Sequence, residues 1–322
     1  MTLPAADERS RALAPLRRRP KQLTAAPELF RTGPGAPVVV ERVDGDRGDP
    51  GDGETGGQGS LTTSRTARAR TLSELLEDRP PDREVTAMAR RIARRLALRR
   101  PRDPRAARGR GAPAPQPYRY RSDDIDLDRT VEVLTERPVP EDTDIVVRER
   151  TGSPRAITLV VDVSGSMRGE KVRIAAATVA ALSGDAGATG DRLALVAFWS
   201  DAAVLSPLDE PATPGVLLDR LVRIPARGLT DVGFGLSVAH SELAGARERR
   251  RVAVLLSDVV HNAGPDPRTV ARRFGELHVL LETDGEHDAA LGRDVARLGG
   301  GRLATVRTHR DVAPALNRLL RS

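Results

Sequence analysis

Cysteine is absent from all 322 residues, which excludes disulfides, thiolate-held zinc, iron–sulfur clusters and thiol catalysis. Lysine is nearly absent too: of 52 basic residues, all but Lys21 and Lys171 are arginine. Aromatics are scarce, with four Phe, two Tyr and one Trp, so a core has to be built from Val, Leu, Ile and Ala. No apolar run approaches the roughly 20 residues that span a bilayer. The opening stretch MTLPAADERSRALAPLRRRPKQL lacks the apolar segment of a secretory signal, and the expectation is a cytoplasmic chain. There is no GxxxxGK[ST] phosphate loop, no GxSxG elbow, and no HExxH among the five histidines.

The net charge of +7 is unevenly spread. Residues 1–150 hold 30 basic and 25 acidic side chains, net +5; residues 151–322 hold 22 and 20, net +2. A nearly neutral C-terminal half argues against a globular nucleic-acid-binding face there.

The chain divides by composition. Residues 1–81 read as low-complexity and largely disordered. The tract 45–59, GDRGDPGDGETGGQG, has no apolar residue with which to offset the entropy of ordering. It contains an RGD triplet at Arg47-Gly48-Asp49, as expected by chance in such a tract. Its Gly51, Gly53 and Gly56 match the dinucleotide fingerprint by spacing, without the flanking strand and helix that give the fingerprint meaning. Residues 82–117 read as a basic amphipathic helix over 82–100, with Val85, Met88, Ile92 and Leu96 on one face, followed by an Arg/Pro linker. Ten arginines and one acid lie between Arg90 and Arg110. Either this is a solvated face, or it binds nucleic acid, acidic lipid or an acidic partner. Aromatics do not interleave until Tyr118 and Tyr120, which weakens a base-stacking role.

Residues 118–322 are predicted to form one α/β domain with a short N-terminal extension. A helix is expected at 124–137. Strands are expected at 144–148, 157–162, 191–198, 202–205, 251–257, 277–282 and 302–306. Helices are expected at 169–183, 213–223, 231–247, 266–275, 286–298 and 311–320. Continuous apolar strands alternating with helices imply a doubly wound, mostly parallel sheet covered on both faces. Ligands of such sheets sit at the carboxyl ends of the strands.

Three oxygen-rich loops fall at those ends. Asp162-Val163-Ser164-Gly165-Ser166-Met167 follows the first core strand, Gly228-Leu229-Thr230-Asp231 precedes a helix, and Asp258 follows strand 251–257. Hydroxyl and carboxylate oxygens suit a hard divalent cation such as Mg²⁺. A metal held mostly by neutral hydroxyls keeps positive charge and takes one more anionic oxygen. The carboxylate of another protein is an obvious donor.

DVSGSM at 162–167, Thr230 in GLTDVG and Asp258 in VLLSDVVHNAG resemble the metal-ion-dependent adhesion site, MIDAS, of von Willebrand factor A (vWA) domains. The resemblance runs over roughly 140–322 and implies the Rossmann-like vWA fold. It implies metal ligands Asp162, Ser164, Ser166, Thr230 and Asp258, with Mg²⁺ (or Mn²⁺) as the ion. Gly165, Met167, Asp231 and His261 are expected at the partner-binding rim. Val259 departs from the family, where many members have glycine. The basic segment, DIDLDRTVEVL and DIVVRER, are also similar to bacterial CoxE-like proteins and to MoxR-associated and chelatase-type vWA subunits. That resemblance implies partnership with a hexameric MoxR-type AAA+ ATPase and its client, in protein remodelling or metal-centre maturation.

The expected function is therefore Mg²⁺-dependent docking of a partner carboxylate, without catalysis. Two alternatives stand beside it. One is a Mg²⁺-dependent phosphoesterase, for which Asp162 is the nucleophile candidate; Ser164 stands where such chemistry needs a second acid. The other is a nucleic-acid-associated protein acting through 90–110.

Overall fold

The computed structural model describes residues 154–320 apart from 166–168, 211 and 226–227. Ahead of these it describes 20–21, 23, 26–32, 39–40, 65–66, 68–77, 83, 87, 91, 113–118, 124–136, 141 and 144–150.

Strands β1 (Glu28–Arg31), β2 (Val39–Val40), β3 (Arg65–Thr66), β4 (Arg68–Thr71), β5 (Pro113–Pro117) and β6 (Val146–Arg150) come first. The main run follows: β7 (Arg155–Asp162), β8 (Arg192–Phe198), β9 (Ala202–Ser206), β10 (Arg250–Ser257), β11 (Leu277–Glu282) and β12 (Gly300–Val306). The helices are α1 (Leu72–Glu77), α2 (Leu127–Glu136), α3 (Glu170–Thr189), α4 (Pro214–Arg223), α5 (Val232–Ala244), α6 (Pro267–Ala271), α7 (Ala289–Leu298) and α8 (Val312–Leu320).

Eight strands form one sheet in the order β12-β11-β10-β7-β8-β9-β1-β4. Every pairing is parallel except β8 with β9. The central strands are continuous apolar runs because both faces are covered. Alternation along β7 separates two cores. Ile157, Leu159 and Val161 pack with Ile174 and Leu182 of α3, Leu217 and Leu221 of α4, and Leu316 of α8. Ala156 and Val160 pack with Phe234 and Leu236 of α5, Val270 of α6, and Leu291 and Val295 of α7. The chain leaves β7 toward β8 and later returns to β10 on β7's other edge, so the topological switch falls between the carboxyl ends of β7 and β10.

Two features differ from the sequence expectation. Within 1–81, β1 and β4 extend the sheet, with Leu29 pairing Ala202 and Phe30 pairing Ala203 of β9. Leu29 and Phe30 are buried, and Phe30 stacks on Trp199 at a centroid distance of 6.2 Å. A two-residue apolar patch, Leu29-Phe30 between Glu28 and Arg31, is too short to read as a strand. It is recruited because β9 offers it an open edge. The strand expected at 144–148 forms as β6, but it pairs antiparallel with β5 in a separate two-stranded sheet. Of the helix expected at 82–100, only Arg83, Ala87 and Arg91 are described; all three are helical and exposed. The rest of the Arg-rich segment lies outside the described residues. Among those residues, no helix is long and apolar enough to cross a membrane.

Candidate metal centre

Asp162 closes β7, and Ser164 follows it in a loop whose turn needs Gly165 at φ 78°. Asp162 Oδ1 accepts the Ser164 backbone N–H at 2.9 Å and the Ser164 hydroxyl at 2.6 Å. Asp162 Oδ2 accepts the Ser257 hydroxyl at 2.6 Å. Thr230 comes from the loop before α5 and donates its hydroxyl to Ser164 Oγ at 2.7 Å. Asp162, Ser164 and Thr230 thus form an unbroken chain of oxygens across three elements.

The direction of those hydrogen bonds decides what the oxygens can still do. A hydroxyl has one proton and two lone pairs. Thr230 gives its proton to Ser164, and Ser164 gives its own to Asp162. What remains at both hydroxyl oxygens is lone pairs, which is what a hard cation takes. The donor set fits a divalent metal on this ground.

Asp258 lies just beyond the end of β10. Its Oδ1 accepts the Val260 N–H at 3.0 Å, and its backbone carbonyl accepts the Asp288 N–H at 2.9 Å. Its Oδ2 meets the Lys171 ammonium at 3.0 Å. Inside the turn that Asp258 closes with Val260, Val259 holds φ 59° although it is not glycine. Its side chain is fully buried among the α5–α7 core residues, and its N–H donates to Ser257 Oγ at 2.8 Å. Burial of the valine offsets the left-handed strain, of order 1–2 kcal/mol.

The electrostatics are those of a carboxylate-rich crevice. Desolvation, and then the neighbouring Asp258 charge, push Asp162 up to about 6. Glu282, at the end of β11 and 7% exposed, is pushed up to about 8 by desolvation, with Asp162 and Asp258 adding to the rise. Partial burial acts to lower Lys171, but the Asp258 charge and hydrogen bond outweigh it, helped by Glu282 and Asp162, and hold it above the usual lysine value.

The structure brings together Asp162, Ser164 and Thr230 and places Asp258 beside them. Ser166 and Met167 lie outside the described residues. Gly165 is exposed. Two expected rim residues are turned inward instead. Asp231 is 2% exposed, and its Oδ1 caps α5 by accepting the Phe234 N–H at 2.8 Å. Desolvation pushes it up to about 7. A good N-cap residue at the foot of an apolar helix is drawn to the helix end rather than the crevice. The ring nitrogens of His261 are enclosed without a hydrogen-bond partner among the described residues, and burial lowers its pKa.

Four residues were not foreseen: Ser257, Lys171, Asn262 and Glu282. Asn262 Oδ1 accepts the Thr230 N–H and so fixes the Thr230 loop. Lys171 carried a signal, since it is one of two lysines in an arginine-rich chain. The others converge only through the fold. No group of three or more His, Cys, Asp or Glu side chains is placed to hold a metal among the described residues, so any ion here depends on hydroxyls.

Residues 157–261 match the family model of the von Willebrand factor type A domain. The chain therefore carries a vWA domain, and the sheet has the mostly parallel, Rossmann-like vWA architecture. A search of curated proteins gives no match. Solved structures with similarity include a von Willebrand factor type A protein from Catenulispora acidiphila, at 19% identity over 54% of this chain and 43% of that one, TM-score 0.44. An aerotolerance-related membrane protein from Bacteroides fragilis matches at 16% identity over 51% of this chain and 97% of that one, TM-score 0.41. Proximal thread matrix protein 1 from the mussel byssus, described with a zinc-occupied MIDAS motif, matches at 16% over 52% and 47%, TM-score 0.42.

Proposed function

We propose that this chain is a divalent-cation-dependent protein-binding protein whose metal site docks a carboxylate of its partner. The observation that carries the reading is the directed hydroxyl chain Thr230→Ser164→Asp162, which leaves lone pairs at the crevice beside Asp258. Ser164 and Thr230, with Ser166 from the same loop as Ser164, hold the ion through neutral oxygens. Asp162 and Asp258 supply the negative charge. Bound Mg²⁺ supplies an electrophilic position for one further anionic oxygen.

The chain's own residues keep this contact free of chemistry in our reading. Both Asp162 oxygens are held by hydrogen bonds from Ser164 and Ser257. The nearest histidine in sequence, His261, is enclosed rather than facing a reacting group. We read the Ser164 hydroxyl, hydrogen-bonded to Asp162, as a metal ligand rather than a nucleophile. By the sequence resemblance, the partner we propose is a MoxR-type AAA+ ATPase or its client, engaged in remodelling or metal-centre maturation, with Mg²⁺ as the ion and Mn²⁺ as a substitute.

The test uses immobilised full chain and a purified MoxR-type ATPase. Retention in Mg²⁺, release in EDTA, and no retention by the Ser164→Ala, Ser166→Ala double variant are expected. Retention that survives both EDTA and the double variant would overturn the reading.

A further inference from the structure

Lys171 sits in the first turn of α3, nine residues after Asp162, with its ammonium 3.0 Å from Asp258 Oδ2. Its side chain is one-third exposed, and that of Asp258 is 18% exposed. The carboxylates acting on the ammonium are Asp258, then Glu282, then Asp162, drawn from the ends of three adjacent strands. Among the described residues, Lys171 is the cation that faces these three acids. The bond also uses the Asp258 oxygen that Val260 leaves free, so both oxygens of this carboxylate are engaged by the protein itself.

We propose that Lys171 is an internal counter-cation that holds Asp258 in the metal-free protein, and that a divalent ion binds by displacing it. This rests on the metal reading above and adds its regulation. Two cations compete for one carboxylate, so the lysine sets a threshold metal concentration below which the site stays self-neutralised. The same competition makes the site exchange one cation for another rather than open and close.

The test is calorimetric titration of Mn²⁺ into the full chain as wild type, Lys171→Met and Lys171→Arg. Methionine keeps the apolar stem packed and removes the charge; arginine keeps the charge. The expected result is Mn²⁺ affinity tighter in K171M by up to about fivefold, the scale of a partly exposed ion pair, with K171R near wild type. A second readout exploits the two lysines: with lysine labelled at the ε-carbon, Mg²⁺ should shift the Lys171 resonance and leave that of Lys21 in place. Binding by K171M alone, with none by wild type, would support the proposal in its strongest form. Equal affinity in all three chains, or weaker binding by K171M, would overturn the proposal and leave the metal site standing. Absence of binding in both wild type and K171M would overturn the metal reading itself, and the proposal with it.

Discussion

Asn262 Oδ1 accepts the backbone N–H of Thr230 at 2.7 Å, and the Thr230 carbonyl accepts back from the N–H groups of Asn262 at 3.2 Å and Ala263 at 3.3 Å. The loop that carries the Thr230 hydroxyl is thus fastened to the loop that follows Asp258. Thr230 is 5% exposed, so water does not readily replace the lost acceptor. Asn262→Ala should destabilise the domain by about 1–3 kcal/mol, the penalty of an unmade buried hydrogen bond, and weaken metal binding together with it. Denaturant unfolding and a Mn²⁺ titration of the same variant check both. Unchanged stability would show that the staple is not needed.

The proposed metal would require ionised carboxylates, and Asp162 is pushed up to about 6 by desolvation and by Asp258. Below that pH a proton competes with the cation. Metal affinity should be nearly flat between pH 7 and 8 on account of this group, then fall by up to about tenfold per unit below pH 6. Calorimetry at a series of pH values reads this directly. Affinity that is constant from pH 7 to 5 would contradict it.

Glu282 affects the stability of the metal-free protein with a definite sign. Its folded-state value of about 8 lies above the ordinary 4.5, so the folded chain binds this proton more tightly than the unfolded chain. The stability it contributes is full below pH about 4.5 and is lost as pH rises toward 8. Glu282→Gln should therefore raise the melting temperature at pH 8 in chelator, by on the order of 1–2 kcal/mol of stability, and change little at pH 4. A lower melting temperature at pH 8 would show that its attraction to Lys171 outweighs its desolvation.

Gly264 has φ +80°, and a Cβ there would lie 2.0 Å from Asp231 Oδ2. Its N–H also reaches the carbonyl of Lys21 at 3.3 Å, while the Lys21 N–H donates to the Asn262 carbonyl at 2.8 Å. Gly264→Ala should displace Asp231 from its cap on α5 and disturb Thr230 next to it. We expect a loss of roughly 2–4 kcal/mol, since strain, cap loss and overpacking combine. Thermal unfolding measures it. A change below 0.5 kcal/mol would mean the loop relaxes around the methyl group.

Much of the fold was legible because the central strands are uninterrupted apolar runs. β8, β10 and β11 fall within a residue of their expected positions. Helix ends were less so: α3 continues to Thr189, since Gly184 and Gly187 do not stop a helix already packed on the sheet, and it ends at Gly190 in the left-handed conformation. β1 and β4 were illegible because β1 pairs with β9, far away in sequence, and β4 in turn pairs with β1. Asp162, Ser164 and Asp258 could be placed near one another from the sequence because they are adjacent to strand ends. Asp231 was misplaced because the same residue type serves as rim acid and helix cap, and only burial separates the two. Lys171, Asn262 and Glu282 act on the site from separate elements, which no spacing rule reveals.

The most direct measurement is a crystal structure of the chain grown with MnCl₂, with anomalous scattering used to locate manganese. The account predicts one peak in the crevice between the ends of β7 and β10, bonded to the hydroxyl oxygens of Ser164, Ser166 and Thr230, and absent from Asp162→Ala crystals. A crevice without manganese at saturating concentration, with the Lys171–Asp258 pair intact, would contradict it.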